Sequence, residues 1–434
     1  MKLNWFSPLP PAKTDIAHYT KRLLPALSTV AEVTLWTEQR TWDRELENYA
    51  EVRSYRNRGI RWLELNRADM TVYQMGNNPR FHGTLWEISR LHGGVVVLHD
   101  LRLHHFFDGL YRVKYRDKKT YLALMQKYYG EQGREDGAIC YRNNARNIDY
   151  MAQQYPLTEL AVENALGVLV HTEEALKNLT LVGNWPLAYA PLVFSAPAQT
   201  RRRTNNRPPY NLILFGYIGS NRRLDALLRA LSELDEKDQF HLNIYGSVLS
   251  GERHVHREIR ALGIKSHVTL HGFVNETQLD EALSEADLAI NLRFPTMGEA
   301  SGSQLRIWAH ALPSLVSDVG WYASLPRDTV ALVHTGERET PDIKKYMRAF
   351  LADPNAFQAM GQKGLALLRK DHTPAAYAAT VFELAKQASA YRARAASLSF
   401  AGNLGGRVAN WFDGSTSENM LRRIADQIFA LVES

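Results

Sequence analysis

An α/β chain built from two doubly wound, Rossmann-like domains follows from three features of the sequence. Short apolar, β-branched runs recur along the 434 residues, amphipathic helical stretches separate them, and the alternation stops once, in a basic and proline-rich segment, before it resumes. Strands alternating with helices give parallel sheets covered on both faces. A chain of this length divides into more than one core.

The amino end, MKLNWFSPLPP, alternates Leu3 and Trp5 and breaks at Pro8, so it reads as a first strand and lacks the continuous apolar core of a signal peptide. HYTKRLLPALS follows as an amphipathic helix. VTLW near Val33, TVYQMG near Val72, GVVVLHD near Val95 and GVLVHT near Val168 have the composition of buried strands. From Leu101 to about Tyr155 there is no strand signal, and the density of Tyr, Phe, Arg and Lys marks a helical insertion. That insertion is readable as a cover packed on its own domain with a solvated basic face, or as a surface that meets acceptor or anionic lipid.

Ser195 to Pro209, SAPAQTRRRTNNRPP, has the composition of a linker. The expected domains are therefore 1–195 and 210–385, joined by 196–209. NLILFGY, HLNIYGS, VTLHGFV, LAINLRF, SLVSDV and VALVHT supply the strands of the second. A helical tail is expected over 386–434, where Ser415 and Glu418 have capping-box spacing ahead of Leu421, Ile424, Ile428 and Leu431.

Composition narrows the chemistry. Cys140 is the only cysteine, which excludes an intrachain disulfide and a cysteine-cluster metal site and points to a reducing, cytoplasmic setting. No apolar run approaches the roughly 20 residues that cross a bilayer. A net charge of +6 suits acidic partners, phosphorylated substrates or lipids before nucleic acid, or else is a solubility surplus spread over the surface. No Asp-x-Asp of the kind that holds a divalent ion on a nucleotide-sugar is present, nor a Gly-x-Ser-x-Gly elbow. His104 and His105 leave a metal site as an open alternative.

In open parallel sheets ligands collect beyond the carboxyl ends of the strands, so the loops after the apolar runs are where function is expected. In RFPTMGEASGSQLRIWAHALP, Arg293 to Pro313, the residues Ser301, Gly302 and Ser303 sit where a helix begins, leaving amides free for phosphate, while the acid of Glu299 suits hydroxyls. The plainer reading has the serines capping the helix and Glu299 in water. In FGYIGSNRRLDALLRAL, Gly216 opens a turn and Arg222 and Arg223 can fork onto a diphosphate; Gly246, after HLNIY, is grouped with them. His99 and Asp100 end a strand of the first domain, with Asp100 placed to fix the histidine tautomer. Asn77 and Asn78, in YQMGNNPRFH, offer amides to hydroxyls or form an ordinary turn.

Together and in order, SPLPP, YQMGNNPRFH, GGVVVLHDLRLHH, YPLTELAVENALGVLVHT, LFGYIGSNRRLDALL, VTLHGFVNETQLDEALSEADLAINLR, PTMGEASGSQLR and ALPSLVSDVGWYASLP resemble the blocks of the bacterial family-4 glycosyltransferases of the GT-B fold, from Met1 to about Gln387. The resemblance implies two Rossmann-like domains facing a central cleft, with a nucleotide-diphosphate sugar bound by the second. Arg222 takes the position of the donor-phosphate cation and Glu299 that of the sugar-binding carboxylate, and the amides of Gly302 and Ser303 hold the diphosphate. His99 matches the cleft histidine near the reacting sugar, and Pro10 to Ile16 the loop that approaches donor and acceptor. Members of the family transfer with retention and need neither metal nor cofactor.

Three positions depart from that pattern. Asp15 replaces a glycine, Gly216-Tyr217 replaces Gly-Arg, and the second glutamate of a pair falls at Arg306 or Ile307, where Arg306 is placed to meet phosphate instead. The implied activity is transfer to a glycan or lipid-linked acceptor in bacterial surface polysaccharide synthesis, in the cytoplasm or peripherally at the inner face of the membrane. The alternative is a non-catalytic GT-B-like subunit that binds sugar or a partner enzyme.

Overall fold

The computed structural model describes residues 1–56, 59–143, 147–196, 207–249, 251–411, 423 and 426–427. The capping-box residues Ser415 and Glu418 and most of the linker, 197–206, lie outside the described residues.

Two sheets organise the chain. The first contains β1 (Lys2–Phe6), β2 (Glu32–Thr37), β3 (Glu51–Ser54), β4 (Met70–Met75), β5 (Val95–Leu98), β6 (Gly167–Val170) and β7 (Leu187–Tyr189), in the order β3-β2-β1-β4-β5-β6-β7. The second contains β8 (Tyr210–Phe215), β9 (Phe240–Tyr245), β10 (Val268–Gly272), β11 (Leu288–Asn291), β12 (Ser314–Ser317) and β13 (Ala331–Val333), in the order β10-β9-β8-β11-β12-β13. Every pairing is parallel, as in β1 on β4, where Leu3 faces Met70.

Burial on both faces explains the unbroken apolar runs. In β5, Val95 and Val97 join a core with Leu3, Trp5 and Leu24, while Val96 and Leu98 join another with Phe6, Trp36 and Phe106. Asn4, a buried polar residue of β1, is satisfied: it accepts from Trp36 Nε1 at 2.8 Å and donates to Leu65 O at 3.0 Å.

The insertion is helical, as expected. It comprises His104–Asp108, a π-helical turn Gly109–Lys114, a helix Lys118–Asn143 kinked at Gly130, and Ile148–Gln154. Phe106, Phe107, Leu110, Tyr121 and Met125 pack into the core of the first sheet, so it covers its own domain. Many of its cations have acidic partners: Arg112 with Asp108, Lys114 with Glu87, Lys127 with Glu163 and Arg134 with Glu131.

One boundary differs from the sequence expectation. Residues from Pro374 on begin a helix that runs to Trp411 and returns to the first domain. Tyr377, Ala378, Val381, Leu384, Ala385 and Ala388 are buried with Leu3, Trp5 and Val95. Helical periodicity shows that this segment has an apolar face but carries no information about which sheet receives it.

The strand order reverses between β1 and β4 in one sheet and between β8 and β11 in the other. Loops diverge at such points and leave a crevice at the carboxyl ends of the strands. The loops after β1, β4, β8 and β11 hold Asp15, Asn77, Arg222 and Glu299 respectively.

Candidate functional site

In the second domain the site grows from β11 and the loop that follows it. Asn291, the last residue of β11, accepts Arg222 Nη1 at 2.7 Å and donates to Gln304 Oε1 at 3.0 Å; Gln304 in turn donates to Ser314 Oγ at 2.8 Å. This buried relay fixes the helix Gly302–Ala309 against the sheet and aims the guanidinium beside its first turn. Arg222 Nη2 reaches Ser303 Oγ at 3.3 Å, and its buried Nε has no hydrogen-bond partner among the described residues. Burial, with the Arg293 guanidinium next, lowers its pKa to about 10, so it remains a cation at neutral pH.

Ser301 caps that helix, accepting from Gln304 N at 3.1 Å, which is the plainer of its two expected roles. Gly302 and Ser303 form its first turn, where backbone amides lack partners within the helix. Glu299 accepts from Met297 N at 2.6 Å and lies 3.4 Å from Arg293 Nη1. Arg293 was not singled out by the sequence reading, although it opens the loop; a single arginine after a strand carries no mark of being buried beside an acid.

Gly216 and Gly246 serve the backbone. Gly216 has φ 109°, and a Cβ there would lie 2.8 Å from Arg222 Nη2. A Cβ on Gly246 would lie 1.9 Å from Gly216 O, so Gly246 supports the turn from beneath.

Two of the expected phosphate cations point elsewhere. Arg223 has φ 55° and forks onto the buried Glu339 with bonds of 3.0 and 2.6 Å, which fixes the strand-to-helix turn to a neighbouring helix. Arg306 bonds Asp280 at 3.0 and 2.7 Å and Glu276 at 2.8 Å, on the helix Glu276–Glu285. Arg306 is thus held by two carboxylates of its own domain, where the sequence expectation had it free to meet phosphate. Ile307, at the other candidate position, is fully buried.

The first domain supplies His99 and Asp100 from the end of β5. With Gln74 Oε1 accepting at 2.8 Å, His99 Nε2 carries the proton and Nδ1 is unprotonated. Gln74, a buried polar residue in β4, thus fixes the tautomer, the role expected of Asp100. Burial, followed by the neighbouring His171, holds the His99 pKa well below its ordinary value, so the ring is neutral. Tyr19 and His171 each place a ring centroid 4.9 Å from it, and Tyr377 of the returning helix stands behind both at 5.6 and 5.7 Å.

Asp100 instead accepts from Asn77 N at 2.8 Å. Burial first, and then Glu299 of the opposite domain, raises its pKa to about 7. Asn77 also accepts from Phe106 N at 3.0 Å, and Asn78 caps the helix Pro79–Leu91 by accepting from Arg80 N at 3.0 Å. These two asparagines take the turn role left open by the sequence. His104 bonds Tyr155 O and Tyr121, and His105 bonds Asp149, so they do not converge. No group of three or more metal-ligating side chains occurs among the described residues.

The domains meet directly over this site. Arg102 N donates to Met297 O at 2.8 Å, Gln153 Nε2 to Thr296 O at 2.9 Å, and Thr172 Oγ1 to Gly298 O at 3.3 Å. The loop Pro10 to Ile16 reaches across as well: Tyr217 donates to Lys13 O at 3.4 Å, and Lys13 Nζ stands 4.6 Å from the centre of the Phe273 ring. Asp15 Oδ2 lies 4.0 Å from where a Cβ on Gly302 would sit. An arginine and helix amides on one side thus face a histidine and two carboxylates on the other.

This architecture, two parallel-sheet domains closing on one cleft, is that of the GT-B glycosyltransferases. Residues 198–366 match the family model described as glycosyl transferases group 1. Sucrose-phosphate synthase from Thermosynechococcus elongatus superposes with a TM-score of 0.60 at 14% identity, over 89% of this chain and 98% of that one. Anabaena HepE in complex with UDP-glucose gives 0.57 at 12% identity, over 90% and 100%. WaaG, a glycosyltransferase involved in lipopolysaccharide biosynthesis, gives 0.53 at 15% identity, over 87% and 98%. No curated protein is a significant sequence match.

Proposed function

We propose that the chain transfers a sugar, with retention and without a metal ion, from a nucleoside-diphosphate donor to a glycan or lipid-linked acceptor in bacterial surface polysaccharide synthesis. The observation that carries this reading is the buried Arg222 guanidinium, with an Nε that has no hydrogen-bond partner among the described residues, set beside the first turn of the helix Gly302–Ala309 and within electrostatic reach of Asp15 and Glu299. As the glycosidic bond breaks, negative charge gathers on the leaving diphosphate. A preorganised cation and free amides stabilise that state more than the ground state. Glu299 is the group for sugar hydroxyls, and neutral His99 is a positioned hydrogen-bond partner at the reacting sugar. Contact between the domains excludes the water that would hydrolyse the donor.

HepE's binding of UDP-glucose supports a nucleotide-sugar donor, and WaaG's place in lipopolysaccharide biosynthesis supports a surface-glycan acceptor. A peripheral position at the inner membrane face accords with a net charge of +6 and with described helices of which none is long and apolar enough to cross a bilayer.

Two observations favour the second reading, a sugar-binding subunit without turnover: the Asp15 carboxylate next to Gly302, and Arg306 withdrawn into a carboxylate pair. Calorimetric titration of a panel of nucleotide-sugars decides between them. The transferase reading expects saturable, diphosphate-dependent binding that Arg222→Ala weakens by roughly 10- to 100-fold, the worth of a charged hydrogen bond. It also expects Glu299→Ala to cut transfer about a hundredfold while the melting temperature stays put. Absence of any saturable binding, or donor affinity indifferent to Arg222, would reject it.

A further inference from the structure

We propose that the outer part of the helix Pro374–Trp411, from Arg392 onward, is the segment that binds an anionic bilayer surface. From Leu384 to Phe412 the sequence contains no Asp or Glu, whereas Lys386, Arg392, Arg394 and Arg407 are cations. The inner part of this helix is covered by the first sheet; among the described side chains Ala388 is the last fully buried one, and Ala395 is partly buried against the same core. The remaining residues to Trp411 extend the helix by about 35 Å at 1.5 Å per residue. Leu398 and Phe400 on that extension are 43% and 62% exposed.

The helix leaves the body at a second apolar area. Arg392 Nη2 donates to Asp69 O at 2.7 Å, at the start of β4, and the Arg392 charge acts on His92. Trp62, whose ring is 6.5 Å from that of His92, is 42% exposed, and Leu63 and Leu91 beside them are 81% and 77% exposed. Exposed apolar side chains next to acid-free positive charge match a surface of phosphate head groups over acyl chains. In the helical insertion, the other basic element, Arg112, Lys114, Lys127 and Arg134 are paired with acids, and Asp108, Asp117, Glu131, Glu135, Asp136 and Asp149 are interspersed among the cations. The absence of any acid from Leu384 to Phe412 therefore selects the carboxy-terminal helix by charge complementarity. This deepens the reading of a lipid-linked acceptor, but it is measured without turnover, so either can fail alone.

The test is co-sedimentation of the full chain with vesicles of phosphatidylcholine alone, and of phosphatidylcholine with phosphatidylglycerol. Binding to the phosphatidylglycerol vesicles is expected, weakening as salt rises, with little on phosphatidylcholine alone. Each cation near such a surface is worth about fivefold, so R394E/R407E should lower binding by roughly 25-fold or more. Phe400→Ser should lower it further, and K118E/K119E on the insertion should leave it unchanged. Circular dichroism and nucleotide-sugar binding show whether the variants are folded. The proposal is overturned by no binding to either vesicle, by equal binding of R394E/R407E, or by loss in K118E/K119E instead. It is also overturned by a concentration-dependent dimer that Phe400→Ser abolishes, which would make a second copy the occupant.

Discussion

Asp100 and Glu299 face each other from opposite domains, and burial together with that proximity raises Asp100 to about 7. A carboxyl whose pKa is higher folded than unfolded holds its proton more tightly in the folded state. Its favourable contribution is present below the unfolded value near 4 and is lost as pH rises through about 7. Asp100→Asn keeps a neutral group of the same shape, so its melting temperature should exceed that of the parent at pH 8. The difference should shrink as pH falls to 5; an equal gap at both values would show that Asp100 titrates normally. The same scale exposes the limit of reading single residues. Arg222 and Arg223 are neighbours of one type, yet a φ of 55° at Arg223 turns it to Glu339, while Arg222 lies beside the helix start. Direction comes from backbone geometry and from partners 69, 81 and 116 residues away, which no local pattern contains. Gln74 was legible only as an odd polar residue in an apolar strand.

Among the elements, strands with continuous apolar runs were legible because both faces are buried. The edge strands β3, EVRS, and β7, LAY, were missed, since an edge strand is short and half exposed and so has no such run. The second sheet starts with β8 at Tyr210, just after the segment whose composition reads as a linker. The returning helix was legible as a helix but not as part of the first domain. Its attachment is testable: Leu384 is 1% exposed within the first domain's core. Leu384→Ala should destabilise by about 2–5 kcal/mol in urea unfolding, as buried leucine truncations do. A loss below about 0.5 kcal/mol would mean that the helix is not held there. Arg223→Ala, by contrast, leaves Glu339 buried and unpaired, and a loss of about 3–5 kcal/mol is expected with little change in the donor affinity that survives in the folded fraction.

Across the whole molecule, the loop between β11 and the helix Gly302–Ala309 is both part of the site and the meeting point of the domains. Gly298 has φ 77°, and a Cβ there would lie 2.6 Å from Leu101 Cβ of the first domain. Gly298→Ala should therefore hold the domains apart. The expected outcome is a larger radius of gyration in solution scattering and at least about a tenfold loss of transfer, with donor affinity changed little, because Arg222 and the helix amides belong to one domain. Leu101→Gly in the same chain, which removes that Cβ, should restore the compact form if contact is the cause. If the radius stays large, the backbone strain at a left-handed alanine is responsible instead.

The helix that comes back after the second sheet also dictates how the gene can be cut. Arg392 and Lys2 both bond Asp69, the one through its carbonyl and the other through its carboxylate, so the start of the first strand and the middle of the returning helix share an anchor. An amino-terminal fragment ending in the linker is accordingly an open core that lacks its last stave, and it should aggregate when expressed alone. Supplying Pro374 onward as a separate peptide should restore solubility, since a stretch remote in sequence completes the first half.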